Sequence, residues 1–99
     1  MQLKQFTVTL TATAAAITTD EDFCRQIYLQ PGVSNSNPMY VGGAGVTSST
    51  GIRLEGYDGD GLPSAPFPLM FGQDNPLQAN KVYVLGTAGQ TVNVLLVTV

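Results

Sequence analysis

The sequence contains no histidine, no tryptophan and a single cysteine. Without histidine, a common general base and the commonest transition-metal ligand are both missing, which argues against most nucleophile–base arrangements. The one cysteine, Cys24, has no partner for an internal disulfide, and a free cysteine of this kind is more often a small buried core residue than a reactive thiol. Small secreted domains usually carry several disulfides, so the sequence favours assembly in a reducing cytoplasm.

Charged residues are also scarce. Lys, Arg, Asp and Glu make up 11% of the chain, compared with roughly 25% in an average domain. The net charge is −3 and the basic residues are scattered, whereas nucleic-acid binding needs several cations on one face. No apolar run approaches the roughly 18 residues of a membrane span. We therefore expect no nucleic-acid or membrane partner. A neutral polar surface of this kind can be covered by neighbouring subunits without burying unpaired charges, whose desolvation is costly.

What the sequence does contain is a series of short segments with strand periodicity. In Gln5–Ala12, apolar residues alternate with Thr7, Thr9 and Thr11. This pattern predicts a half-buried antiparallel strand whose threonine face meets water or a partner, and it is too polar for the core of a signal peptide. No stretch of helical length has helical periodicity. Further strands are predicted at Arg25–Gln30, Met39–Val41 and Ile52–Leu54.

The clearest pattern lies at the end of the chain. Lys81–Leu85 and Thr91–Val99 are predicted to form a β-hairpin across the glycine-containing residues 86–90. The second of these strands is apolar on both faces, so we expect both faces to be covered. Taken together, the short strands predict one all-β domain spanning residues 1–99, a small antiparallel β-sandwich or jelly-roll-like domain.

A proline-rich segment at about residues 61–72 interrupts this series. Within Leu62–Phe71, three prolines lie among apolar residues, which excludes a central strand. Two interpretations remain open: an edge strand or loop that closes the chain's own core, and an extended arm inserted into a neighbouring subunit, whose prolines would reduce the entropy lost on docking. The predicted partner interface consists of Leu62, Phe67, Leu69, Met70 and Phe71 in this arm, together with Thr7, Thr9 and Thr11.

Two acidic segments are candidates for a metal site or a catalytic site. Asp58 and Asp60 have a spacing that suits Ca²⁺, but a calcium loop needs more oxygen ligands, so an Asp-Gly turn is preferred. Asp20–Asp22 is expected in a solvated loop or a capped helical turn rather than as a catalytic carboxylate pair. We therefore predict a chain that is not an enzyme and has no cofactor, no metal and no small-molecule substrate.

Several segments of the second part of the chain share short Thr- and Val-rich strands, Gly-Thr-Ala-Gly turns and few charges; they are Met39–Gly43, Gly45–Gly51 and Val82–Leu95. In this respect the chain from Pro38 onward resembles small structural proteins of tailed-bacteriophage particles. The resemblance implies a virion protein with a small β-sandwich, located on the capsid surface and assembled in the host cytoplasm.

This resemblance leads to two hypotheses about function. The first is a capsid cement or decoration protein that binds and stabilises the outer shell of major capsid protein, as a homotrimer at threefold positions. The second is a tail, neck or head-fibre accessory or adhesion protein that presents Tyr28, Tyr40 and Tyr57 in exposed loops. The copy number per particle distinguishes them, since a shell offers many more equivalent positions than a tail.

Overall fold

The computed structural model describes residues 2–33, 35–56, 66–71 and 74–99. Within these ranges the chain is all-β, with two antiparallel sheets packed against each other and one 3₁₀ turn at Ala79–Lys81. The predicted fold class is confirmed. The strands are β1 (Leu3–Thr9), β2 (Ala15–Ala16), β3 (Phe23–Pro31), β4 (Met39–Gly42), β5 (Ile52–Leu54), β6 (Phe67–Met70), β7 (Leu77–Gln78), β8 (Tyr83–Leu85) and β9 (Thr91–Thr98).

The two sheets are assembled mostly from strands that are distant in sequence. Sheet one has the order β1-β9-β3-β6, and β7 also pairs with β3. Sheet two has the order β2-β8-β4-β5. The first and last long strands, β1 and β9, are therefore direct neighbours, with Leu3 opposite Val97 and Thr9 opposite Thr91. In the described residues no helix is long and apolar enough to cross a membrane.

The predicted hairpin of Lys81–Leu85 and Thr91–Val99 is wrong. β8 pairs with β2 and β4 in sheet two, whereas β9 pairs with β1 and β3 in sheet one. The chain changes sheets through residues 86–90, where the Gly86 N–H donates to the carbonyl of Thr11 over 2.9 Å. A strand with apolar residues on both faces is better covered in the centre of a sheet than in an isolated hairpin, which explains the exchange.

The core lies between the sheets and follows the period-two alternation. In β1, Phe6 and Val8 are half-buried and pack on the core, and Leu10 after it is fully buried, as the alternation predicted; Ala12, placed on the same face, is exposed. The rest of the core comes mainly from β3, β4, β8 and β9. Its buried members include Cys24, Ile27, Leu29, Met39, Val41, Val84, Val92, Val94 and Leu96.

The described part of the proline-rich segment is an edge strand. β6 pairs with β3, placing Phe67 opposite Leu29. Phe67, Leu69 and Phe71 pack against the chain's own core, whereas Met70 is 64% exposed on the other side. For these residues the structure therefore agrees with the first interpretation, an edge strand that closes the core. Leu62 and the remainder of the predicted arm lie outside the described residues.

A buried polar side chain, that of Asn35, ties the loop after β3 to the start of β9. The Asn35 Nδ2 donates to the Thr91 carbonyl over 2.6 Å, and the Thr91 N–H donates to Asn35 Oδ1 over 3.0 Å. The Gly32 N–H donates to the same carbonyl. A Cβ at Gly32 would collide with Thr91 Oγ1, so this close approach requires glycine. Asn35 thus pairs with β9 as the backbone of a neighbouring strand would.

The thiol of Cys24 is part of this core. Its side chain is fully buried, and Sγ lies 3.7 Å from the carbonyl oxygen of Asp22. Burial, and secondarily the negative charge of Asp22, raises the pKa of the Cys24 thiol. The thiol is therefore protonated at neutral pH and inaccessible, which agrees with its prediction as a structural residue.

Replacing Asn35 with alanine should lower the free energy of unfolding by about 2–3 kcal/mol, because two hydrogen bonds to Thr91 are lost and the Thr91 N–H is left unpaired, while the Thr91 carbonyl keeps its bond from Gly32. Urea denaturation measures the change. Ser36→Ala is the matched control, because Ser36 is exposed and should change stability by less than about 0.5 kcal/mol. Equal effects of the two substitutions would contradict the role given to Asn35.

We expect Cys24 to react with a thiol-specific disulfide reagent at least about a hundredfold more slowly in the native protein than in denaturant, because reaction requires the core to open. A reagent with a coloured leaving group measures the rate at pH 8. The control is Ser36→Cys in a Cys24→Ala background, which places a thiol on the surface and should react at the rate of the unfolded chain. Rapid labelling of native Cys24 would show that this part of the core is open.

Candidate interaction surfaces

The outer face of sheet one, the side turned away from the core, is a regular surface formed by four strands. Cross-strand register defines its members. They are Leu3, Gln5, Thr7 and Thr9 in β1, Thr91, Asn93, Leu95 and Val97 in β9, Gln26, Tyr28 and Gln30 in β3, and Pro68 and Met70 in β6. None of these residues is charged. The face is therefore a neutral surface of amides, threonines and apolar side chains.

One end of the outer face is apolar. Leu3 is 70% exposed and lies opposite Val97, and Met70 lies in the same row across the sheet. Phe23 and Val99, each about half exposed, form the next row, where the Val99 N–H donates to the Phe23 carbonyl over 3.1 Å. We call these five residues the apolar patch.

The apolar patch accounts for most of the exposed large hydrophobic side chains. Six such side chains occur in the described residues, and four of them belong to the patch. The other two, Val33 and Ile52, lie in the loop after β3 and in β5. Single exposed apolar side chains are normal in soluble proteins, whereas a cluster on one face marks a contact surface.

A groove of about 370 Å³ occupies the middle of the outer face. Tyr28 and Leu95 lie within it, and the Tyr28 hydroxyl donates to Gln26 Oε1 over 3.1 Å. The Thr7 hydroxyl donates to Asn93 Oδ1 over 3.0 Å. The lining contains no acid, amine or thiol and consists of Gln5, Tyr28, Gln30, Pro66, Asn93, Val94 and Leu95. The groove can make contacts by shape and through the hydrogen bonds of its amides and of the Tyr28 hydroxyl.

The residues predicted for the partner interface lie in different parts of the structure. Thr7 and Thr9 are exposed on the outer face, and Met70 belongs to the apolar patch. Thr11 is exposed but follows the end of β1, where its hydroxyl donates to the Thr13 carbonyl over 2.7 Å. Phe67, Leu69 and Phe71 face the core instead, and Leu62 is outside the described residues. Thr7, Thr9 and Met70 are therefore the predicted residues that share one face.

Tyr28 and Tyr40, two of the three tyrosines proposed for an adhesion protein, do not come together. Tyr28 lies in β3 and Tyr40 in β4, so the prediction that they occupy loops is wrong. Their alternation with buried neighbours fixes them on strands, and the strands belong to different sheets. Tyr28 lines the groove, whereas Tyr40 lies opposite Arg53 and Leu85 in sheet two. Tyr57 lies outside the described residues.

The acidic segment Asp20–Asp22 forms a loop between β2 and β3 rather than a helical turn. Lys4 Nζ pairs with the carboxylate of Asp22 and lies 3.7 Å from that of Asp20. The hydrogen bond to Asp22 is the main reason that the pKa of Lys4 is raised, so Lys4 stays charged at neutral pH. Asp20 and Asp22 therefore form a surface ion-pair cluster with Lys4.

Metal ligands do not cluster in the part of the chain that the structure describes, since no group of three or more Cys, Asp or Glu side chains there is placed to hold an ion. Asp58 and Asp60, the weak calcium candidates, lie outside that part.

Met70 is the residue of the apolar patch that the sequence predicted at an interface. Leu3 and Phe23 were missed, because they share the patch only through strand pairing across the sheet. The apolar residues at alternate positions near the end of β9 were the available signal.

No protein-family model and no curated protein matches the sequence. Among solved structures, the chain is similar to a protein of the Bacillus endospore appendages, which form a novel family of disulfide-linked pili. The two chains are 20% identical, and the match covers 99% of this chain and 86% of that chain with a TM-score of 0.49. A similarity of this size carries no conclusion about this chain's function.

Proposed function

We propose that the chain is a non-enzymatic structural subunit, held in a larger assembly by the outer face of sheet one. The observation that carries this proposal is the apolar patch. Leu3 and Met70 are each more than half exposed, and they lie in one row with Val97 and Gln26 between them. Covering such a patch with a neighbouring subunit stabilises the complex by roughly 25 cal/mol for each Å² of apolar surface removed from water.

The composition of the rest of the outer face supports the same proposal. A neighbour that covers it meets threonine, glutamine and asparagine side chains and has no charge to desolvate. Depletion of charge around an apolar centre is typical of protein interfaces. The proposed contact therefore combines a small apolar centre with a neutral hydrogen-bonding surround.

The side chains of the outer face support the proposal that the chain is not an enzyme. The groove is lined by amides, Tyr28 and apolar residues, and the buried Cys24 thiol lies on the opposite side of the sheet. Lys4, the charged residue of β1, is engaged by Asp20 and Asp22. Since the sequence also lacks histidine, the surface has no general base for the usual hydrolytic mechanisms.

The specific form of the proposal is a bacteriophage capsid cement or decoration protein on the virion surface, with the major capsid protein as its partner. The resemblance of the segment from Pro38 onward and the neutral outer face support it. Burial of the apolar patch across the seams between capsid subunits would resist the outward pressure of packaged DNA. Its homotrimeric state is expected from the threefold positions of such shells.

The alternative is a tail, neck or head-fibre accessory or adhesion protein. The observation that favours it is the groove, where the Tyr28 ring lies beside Gln5, Gln30 and Asn93. An aromatic ring with neighbouring amides suits contact with a polar partner. A high copy number in purified particles supports the cement proposal, and a small number supports the alternative.

The double variant Phe23→Gln with Met70→Gln should reduce the amount of the chain on assembled particles at least about tenfold, because roughly 1 kcal/mol of apolar burial is lost at each position. Quantitative mass spectrometry of purified particles measures the occupancy. Phe23 and Met70 are exposed in the free chain, so its folding stability should change by less than about 0.5 kcal/mol for each substitution.

The matched control is Val33→Gln with Ile52→Gln, which changes two equally exposed side chains away from the apolar patch. This variant should keep normal occupancy. Normal occupancy of the patch variant would exclude the patch as the contact surface. Particles that lack the chain should also lose resistance to heat and low salt, and unchanged resistance would exclude the cement role.

A further inference from the structure

The edges of the sheets differ in what they offer to another chain. In sheet one, β1 and β6 are the two outer strands of the main order. In sheet two, the outer strands β2 and β5 have two and three residues. Short edge strands are a common protection against edge-to-edge association, whereas β1 has seven residues and no described strand pairs with its outer side.

The hydrogen bonds of β1 show which backbone groups point outward. The Thr98 N–H donates to the Gln2 carbonyl, and the Leu10 N–H donates to the Gln90 carbonyl. Even-numbered residues of this segment therefore pair with β9, since antiparallel strands alternate between bonded and non-bonded pairs. It follows that the N–H and C=O groups of Leu3, Gln5, Thr7 and Thr9 point to the free edge.

The edge at β6 is blocked by proline. The Phe71 N–H donates to the Arg25 carbonyl, so odd-numbered residues of this segment pair with β3 and even-numbered ones face outward. The outward positions include Pro66 and Pro68, which have no N–H to donate. An added strand would find no donor at these positions. Of the described sheet edges, β1 alone is long and complete in donors and acceptors.

The charge on β1 does not oppose pairing. Lys4 is the charged residue of this strand, and its ammonium group is held by Asp22 and Asp20. The outward-facing positions are occupied by Leu3, Gln5, Thr7 and Thr9, all neutral and two of them β-branched. Such residues suit a strand with neighbours on both sides.

We propose that β1 pairs antiparallel with β1 of a second copy of this chain, giving a dimer in which sheet one continues across a twofold axis. A second copy is the occupant because pairing of like edges requires β1 alone, whereas growth from β1 onto β6 is stopped by the prolines. An isologous contact of this kind closes at two copies. The inference concerns how copies meet and holds whether or not the assembly is a virion.

The register follows from the bonding pattern and the charge. Centring the pair on Phe6 places Gln5 opposite the partner's Thr7 and Leu3 opposite the partner's Thr9, so every outward donor and acceptor of β1 is used. Lys4 then lies opposite the partner's Val8. Centring on Lys4 would pair fewer residues and so lose hydrogen bonds. It would also place two ammonium groups side by side, which adds charge repulsion.

The proposed dimer also fixes the positions of its two apolar patches. Because the strands run in opposite directions, the two Leu3 residues lie at opposite ends of the shared β1 pair. The twofold axis is perpendicular to the sheet, so both patches face the same side. A dimer therefore presents two patches, far apart on one continuous face, and bridges two neighbouring subunits. The inferred dimer differs from the trimer expected for threefold positions.

The first test is the mass of the purified full chain by light scattering over a range of concentrations. We expect twice the 10.4 kDa mass of one chain. Gln5→Pro removes one outward N–H and leaves the bonds to β9 intact, so it should weaken the dimer about thirtyfold through two lost hydrogen bonds per dimer. Gln5→Ala, which keeps the N–H, should leave the mass unchanged. A monomer or trimer of the unmodified chain would overturn the proposal.

Charge variants test the same edge without proline. Gln5→Lys with Thr7→Lys should be monomeric, because the register sets like charges opposite each other, and so should Gln5→Glu with Thr7→Glu. Mixing the two should restore a dimer. A mixture that stays monomeric, or single variants that stay dimeric, would exclude this edge.

Amide hydrogen exchange gives a residue-level readout of the unmodified chain. The amides of Phe6 and Val8 bond to β9 and should be protected at every concentration, whereas those of Gln5 and Thr7 should become protected only as the dimer forms. Protection of Gln5 and Thr7 that does not depend on concentration would contradict the inference.

Discussion

β9 is bonded on both sides, to β1 over seven residue pairs and to β3 along most of its length, and sheet one depends on this central position. Its inward residues Val92, Val94 and Leu96 are almost completely buried in the core. The outward residues Leu95 and Val97 lie on the outer face of sheet one. The last strand of the chain thus organises the core on one side and the contact surface on the other.

The proposed contact surface follows from the thinness of the domain. Two small sheets bury one face each, and the described chain has no third layer to cover the outer face of sheet one. Leu3, Phe23 and Met70 belong to three different strands, and only their pairing brings them together at one end of the sheet. A surface built in this way cannot form before the sheet does, so folding and the ability to assemble are coupled.

The sequence predicted local properties well and long-range pairing poorly, for physical reasons. Period-two alternation identified β1 and its core residues Phe6 and Val8, because side-chain direction in a strand is set by neighbouring residues alone. The glycine-containing residues 86–90 looked like a hairpin turn, but tertiary packing sent the flanking strands to different sheets. The same limit applies to the surface: Met70 was identified as exposed to a partner, whereas its neighbours in the apolar patch become neighbours only through sheet register.

The prolines and the free β1 edge together explain how such a chain avoids uncontrolled growth. A sheet with two open edges adds copies without end, because each addition exposes a new edge. Pro66 and Pro68 remove the donors from one edge of sheet one, and sheet two exposes only two- and three-residue edge strands. Among the described strands one complete edge remains, and under the proposed pairing with its own copy this edge is used up in a single step. Further assembly would then use the side chains of the outer face, where the apolar patch lies. The affinity of that contact depends on how well the partner's surface fits, and not on backbone hydrogen bonds that any strand can make.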